Sequence, residues 1–139
     1  MSNYLKYIPK DLARELRVFG MPLELCDFFK CPIDYDTKDV PTLDYERYDR
    51  IIIPTYGEVI DWFSGNGIFI TFDVFFTFTL ADRIGYLWRI SFIDYSNGDV
   101  KLKTISEEKI CNDGEGCGGS FELDAQSAIR YAMNLKKNI

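Results

Sequence analysis

Four cysteines, Cys26, Cys31, Cys111 and Cys117, and a complete lack of histidine bound the chemistry open to this chain. Thiolates and imidazoles are the usual zinc ligands, and a short hook of two intervening residues lets neighbouring ligands share one ion. Here the spacings are C-x4-C and C-x5-C, and no imidazole is present to complete a mixed site. The cysteines therefore read as free thiols, with neither zinc nor an obligatory disulfide, as suits a reducing compartment. The missing histidine also removes Ser-His and Cys-His nucleophile pairs. Carboxylate and lysine chemistries survive, so the expectation leans away from an enzyme.

Two loop motifs in the C-terminal third match in letters only. Gly114-Glu115-Gly116-Cys117-Gly118-Gly119 spells G-x-G-x-x-G. That fingerprint needs a buried strand before it and a helix opening inside it. Neither is present here, and Glu115 would face an anionic phosphate. The same stretch aligns with a calcium loop when Asp113 takes position 1, Glu115 position 3, Gly118 position 6 and Asp124 position 12. Cys117 then falls where an oxygen ligand belongs, and Asp124 is shorter than the bidentate Glu usual at the end. The segment reads as a turn, and no cofactor is implied.

Asp73 is the unusual residue of a long apolar stretch. If the even positions there face a core, Asp73 lies on the opposite face with Thr71, Phe75 and Thr77. A solvated outer face accounts for it. The sharper alternative makes that face a pocket, with Asp73 and Arg89 as polar groups and Asp94 at the opposite parity to Arg89. A carboxylate in an aromatic cleft could act as a general acid or base.

The strongest charge feature is residues 34–49. Asp34, Asp36, Asp39, Asp44, Glu46 and Asp49 are offset only by Lys38 and Arg47, and Tyr35, Tyr45 and Tyr48 lie among them. Four of the chain's six net negative charges thus fall within sixteen residues. A solvated connection would look like this. So would a protein-binding surface, because tyrosine supplies rigid amphipathic contact and clustered carboxylates speed encounter with a basic partner. Asp34, Tyr35, Asp36, Asp39, Asp44, Tyr45, Glu46 and Tyr48 are the candidate partner-binding residues.

The elements that position these groups follow from periodicity. From Ile68 to Leu80 every even residue is apolar, and the alternation resumes at Ile84, Tyr86, Trp88, Ile90 and Phe92. A period of two marks strands with one buried face, so 68–80 and 84–95 are expected to pair, with Phe72, Phe76, Trp88 and Ile90 in the core. Asn66-Gly67 and Asn97-Gly98 are hairpin signals. Strands are also expected at 50–53, 58–63 and 100–105, where Lys101 and Lys103 guard an outer edge. Pro9, the stripe Leu12, Leu16 and Phe19, and Gly20 bound a helix at 9–19. A second short helix is expected at 22–29. Asp124 reads as the N-cap of a last helix reaching Lys137.

The fold class expected is α+β: one domain over residues 1–139, with an antiparallel meander of about five strands, two short N-terminal helices and one C-terminal helix. Strands linked by hairpins rather than by helices argue against a parallel sheet. At 139 residues the chain is of single-domain size, and no apolar run reaches the ~20 residues of a membrane-spanning helix. The N-terminus lacks a secretory pattern, so the cytoplasm is expected. A net charge of −6 disfavours nucleic acid and anionic membranes and suits a basic protein partner. By analogy with toxin-immunity proteins and phage inhibitors, the leading expectation is a non-enzymatic protein that neutralises a basic partner such as a nuclease toxin. The alternative is a small-molecule-binding or enzymatic α+β domain with an aromatic pocket.

Overall fold

The computed structural model describes residues 3–23, 25–27, 42–44, 49–77, 83–95, 98–107 and 120–137. The chain is α+β, and its contacts group it into two compact units, residues 1–58 and 59–139.

In the first unit, α1 (Lys10–Phe19) buries Leu12, Ala13 and Leu16 on one stripe. Pro9 precedes it in an extended conformation, and the Ala13 amide donates to the Pro9 carbonyl. Gly20 closes the helix at φ +123°, a conformation that favours glycine. The Gly20 amide donates to the carbonyls of Leu16 and Arg17, and the Met21 amide reaches back to Leu16, a Schellman-type ending. Three short strands follow: β1 (Leu25–Asp27), β2 (Thr42–Asp44) and β3 (Asp49–Ile52). They form an antiparallel sheet in the order β1-β3-β2. The expected helix at 22–29 is thus corrected at its centre, where β1 pairs Leu25 with Ile51 and Asp27 with Asp49. Pairing with a distant strand has overridden a weak local helical pattern.

The next element corrects a second expectation. Residues 58–63 belong to α2 (Tyr56–Gly65), not to a strand. Its start is a reciprocal capping box. The Glu58 amide donates to Thr55 Oγ1 at 3.2 Å, and the Thr55 amide donates to Glu58 Oε1 at 3.2 Å. Two amides that a helix start would leave bare are thereby satisfied. At the far end Asn66 Nδ2 donates to the Trp62 carbonyl at 2.8 Å, and Gly67 turns the chain at φ +82°. Asn66-Gly67 is therefore a helix ending, not a hairpin turn.

In the second unit, β4 (Ile68–Thr77), β5 (Arg83–Asp94) and β6 (Lys101–Ser106) form an antiparallel meander. The expected pairing is present in register, from Ile68 opposite Phe92 to Thr77 opposite Arg83. The hairpin expected at Asn97-Gly98 falls in part outside the described residues, Asn97 being one of those not described, and Asp94 of β5 pairs with Lys101 of β6. The described strands thus form two three-stranded sheets in place of one meander of about five. The last helix, α3 (Phe121–Lys137), packs on β4 and β5. It begins one residue after Ser120, whose Oγ accepts from the Leu123 amide at 3.3 Å. Ser120 is the cap, and Asp124 lies inside the first turn.

The even face of β4 and β5 meets α3. Trp88 packs on Tyr131 with ring centroids 4.9 Å apart, and Phe72 and Tyr86 both meet Phe121 edge-on. Ile68, Ile70, Trp88, Ile90 and Phe92 are buried there with Phe121, Ala125, Ala128, Ile129, Ala132 and Met133. Phe72 is half-buried, while Phe76 lies on β4 opposite Ile84. Val74 departs from the even-face rule, being 62 % exposed. At ~3.3 Å per residue β4 spans about 33 Å, whereas α3 at ~1.5 Å per residue spans about 25 Å. Phe121 at the start of α3 packs on Phe72 and on Tyr86, and Val74, one even position beyond Phe72, is left exposed.

Candidate functional site

Of the candidate partner-binding residues, Asp44 lies on a described element. Asp34, Tyr35, Asp36, Asp39, Tyr45, Glu46 and Tyr48 lie outside the described residues, as do Cys31, Cys111, Cys117 and the loop motifs at 113–119. Asp44 ends β2 opposite Arg50 on β3, and Arg50 is also opposite Cys26 on β1. The next position on β3, Asp49, stands opposite Asp27. The register therefore brings three acidic positions, Asp27, Asp44 and Asp49, to one end of the β1-β3-β2 sheet. Like charges directly opposite in an antiparallel pair are unfavourable. The Asp27–Asp49 pairing breaks a local rule of sheet design, and such breaks are expected at functional sites. Asp27 escaped the sequence reading because nothing near it in the chain signals a partner twenty-two residues away.

Asp73 and Arg89 do come together. Arg89 Nη2 donates to Asp73 Oδ2 at 2.9 Å, diagonally across β4 and β5, with both side chains about half exposed. Thr71, Ser91 and Thr104 share this outer face, and the hydroxyls of Ser91 and Thr104 lie 2.9 Å apart. Asp94 pairs with Lys103 at 2.6 Å. The Asp73–Arg89 and Ser91–Thr104 contacts are those of a wet strand face, whereas Asp94 and Lys103 lie on the opposite side of the sheet.

A shallow cleft of about 230 Å³ lies elsewhere in this unit, lined by Asn66, Gly67, Ile68, Ile93, Tyr95 and Lys136. Lys136 Nζ donates to Asn66 Oδ1 at 2.9 Å and sits 4.5 Å from the centre of the Trp62 ring. The ammonium is thus held by an amide oxygen and by the negative face of an indole.

The most perturbed group among the described residues is Asp124, buried at 4 % exposure beside the equally unusual Glu107, at 9 %. The Trp88 amide donates to Glu107 Oε2 at 3.1 Å, which ties the end of β6 to the middle of β5. Burial pushes the Asp124 carboxyl up from the ordinary 3.8 to about 8, helped by its hydrogen bond to Glu107 and by the negative charge there. Asp124 Oδ2 and the Trp88 indole nitrogen are buried without a hydrogen-bond partner. Buried polar atoms rarely stay unsatisfied, and those that do call for a physical reason. As position 12 of a calcium loop Asp124 would present its carboxylate to the loop. Instead it faces the interior and Glu107.

Among the described residues no helix is long and apolar enough to cross a membrane, and no three metal-ligating side chains converge. Comparison of the chain with protein-family models, with curated proteins and with solved structures finds no match.

Proposed function

We propose that this chain is a non-enzymatic, acidic binding protein that neutralises a basic protein partner in the cytoplasm, in the manner of a toxin-immunity protein or a phage-type inhibitor of a nucleic-acid enzyme. The observation that carries the reading is the concentration of carboxylates in residues 34–49, with three tyrosines among them. The sheet register supports it by bringing Asp27 and Asp49 to the end of the sheet where Asp44 sits. A compact negative field of this kind steers a basic protein into register and occupies ground that its nucleic acid would otherwise use. Inhibition would then be competitive with nucleic acid.

The test is capture from the native host on the immobilised full-length chain, followed by binding kinetics with the captured protein. A basic partner should associate more slowly as salt rises, because steering is screened beyond a Debye length of ~8 Å at physiological ionic strength. Replacing Asp34, Asp36 and Asp39 together by Asn should lower the association rate with folding unchanged. An unchanged rate and affinity would return the segment to a solvated connection.

The small-molecule reading ranks second. Among the described residues its support is the cleft at Asn66, Tyr95 and Lys136, whose volume of about 230 Å³ is below the ~300 Å³ at which ligand pockets begin. Its lining also omits Asp73 and Arg89.

A further inference from the structure

We propose that β4 is a dimerisation edge, and that its occupant is β4 of a second copy of this chain, paired antiparallel across a two-fold axis at Phe72. The inference stands apart from the partner-binding reading, which rests on residues 34–49. It starts from the two outer strands of the β4-β5-β6 sheet. An outermost strand offers a row of amides and carbonyls for pairing, and proteins blunt such edges with charge, proline, bulges or shortness. β6 has 6 residues and carries the exposed Lys101 and Lys103. β4 lacks these devices. It has 10 residues, runs in unbroken register with β5 from Ile68 to Thr77, and holds no proline, lysine or arginine. Its single charge, Asp73, is drawn onto Arg89 of β5. Apolar side chains reach solvent from both of its faces, Phe69 at 40 % exposure and Val74 at 62 %. Thr71 and Asp73 are exposed beside them.

The strand is complementary to itself in one register. Directly opposite residues of an antiparallel pair share a face, so a two-fold axis between two copies of β4 passes through a residue and not between two. The axes that pair most of Ile68–Thr77 pass through Phe72 or through Asp73. An axis at Asp73 sets two carboxylates opposite each other, which is unfavourable. An axis at Phe72 sets Asp73 opposite the neutral Thr71 of the second copy. Val74 then meets Ile70 of the second copy on the face that carries α3, and Phe69 meets Phe75 of the second copy on the outer face. Apolar and aromatic pairs of this kind are the stabilising unit of a sheet. Val74, exposed in the single chain, is thereby covered.

The helices fit the joined sheet. Because α3 packs on β4 and β5, the two copies of α3 stand two to three strand spacings apart, about 10–14 Å, and packed helices need ~8–10 Å. The pairing also closes. Both edges of the joined sheet are then β6, guarded by Lys101 and Lys103, so assembly stops at two copies.

Sedimentation velocity of the full-length chain over a wide concentration range, with hydrogen exchange on the same samples, tests this. The chain should show a monomer–dimer equilibrium that reaches twice the chain mass and goes no further. Amides between Ile70 and Val74 should gain protection as the dimer fills, whereas those of β6 should not. Val74→Lys should weaken the dimer roughly tenfold or more, because the contact between Val74 and Ile70 occurs twice in it. Leu102→Lys, at a β6 position 67 % exposed, should leave the dimer unchanged. Both positions are exposed in the single chain, so both variants should fold, as circular dichroism checks. A chain that stays monomeric at every concentration overturns the proposal. A dimer that Val74→Lys leaves as tight as before overturns it too, because another surface then pairs. Growth beyond two copies overturns the closed pairing. A basic partner enters none of these measurements, so each outcome leaves the partner-binding reading standing.

Discussion

Phe75 on β4 lies over Gly85 on β5, its ring so close that a Cβ built on Gly85 would collide with Phe75 Cζ. Gly85 is buried beneath that ring. The aromatic side chain covers the backbone that a glycine leaves open, and the glycine in turn is what admits the ring. Gly85→Ala should therefore force the Phe75 ring away and cost ~1–3 kcal/mol, the usual range for overpacking. Phe75→Ala should also destabilise. The double variant should cost less than the sum of the two, because one change makes room for the other. Urea unfolding of the four proteins measures the coupling, and strict additivity would mean that the two residues do not constrain each other.

Thr55→Ala should cost ~0.5–2 kcal/mol, since it removes the hydroxyl that accepts from the Glu58 amide. The loss should appear as a lower denaturant midpoint with an unchanged slope. Thr55→Ser keeps the hydroxyl and should retain most of the stability. Equal losses in the two variants would show that the capping box contributes nothing to α2.

The two faces of β4–β5 should respond differently to truncation. Ile90, fully buried, should lose about 2–5 kcal/mol on replacement by Ala. Val74→Ala should stay within about 0.5 kcal/mol despite its even position, because that side chain is 62 % exposed. Asp73→Asn should cost less than about 1 kcal/mol, as expected of a half-exposed ion pair. Chemical unfolding of the three variants checks the assignment, and a large loss at Val74 would place it under cover.

The pH dependence of stability has a definite sign. Asp124 holds its proton more tightly when folded than its ordinary 3.8, so the folded chain binds more protons than the unfolded one between about 4 and about 8. The contribution of this group to stability is complete below about 4 and declines as pH rises, until both states are ionised above about 8. Asp124→Asn should flatten the part of the stability profile that falls towards alkaline pH. Thermal or urea midpoints recorded across that range decide it, and parallel profiles for the two proteins would assign the slope to other groups.

Elements whose signals lie within a dozen contiguous residues were legible in the sequence. α1 is written between Pro9 and Gly20, because a proline before the helix, an apolar stripe and a glycine ending each act on neighbouring residues. The alternation along Ile68 to Phe92 announces β4 and β5 and their buried even face for the same reason. The Thr55-Tyr56-Gly57-Glu58 box was also legible, but the short apolar run after it fits a strand as readily as a helix, and Asn66-Gly67 reinforced the wrong choice. Tertiary structure alone decided the rest. Whether β1 exists, and that Asp27 meets Asp49, depends on pairing across twenty-two residues of chain. The burial of Asp124 depends on where α3 starts and on Glu107 reaching back to the Trp88 amide nineteen residues earlier. Charge and burial at such positions arise from long-range register, and a carboxylate's own neighbours in the chain carry no record of the dielectric that folding places around it.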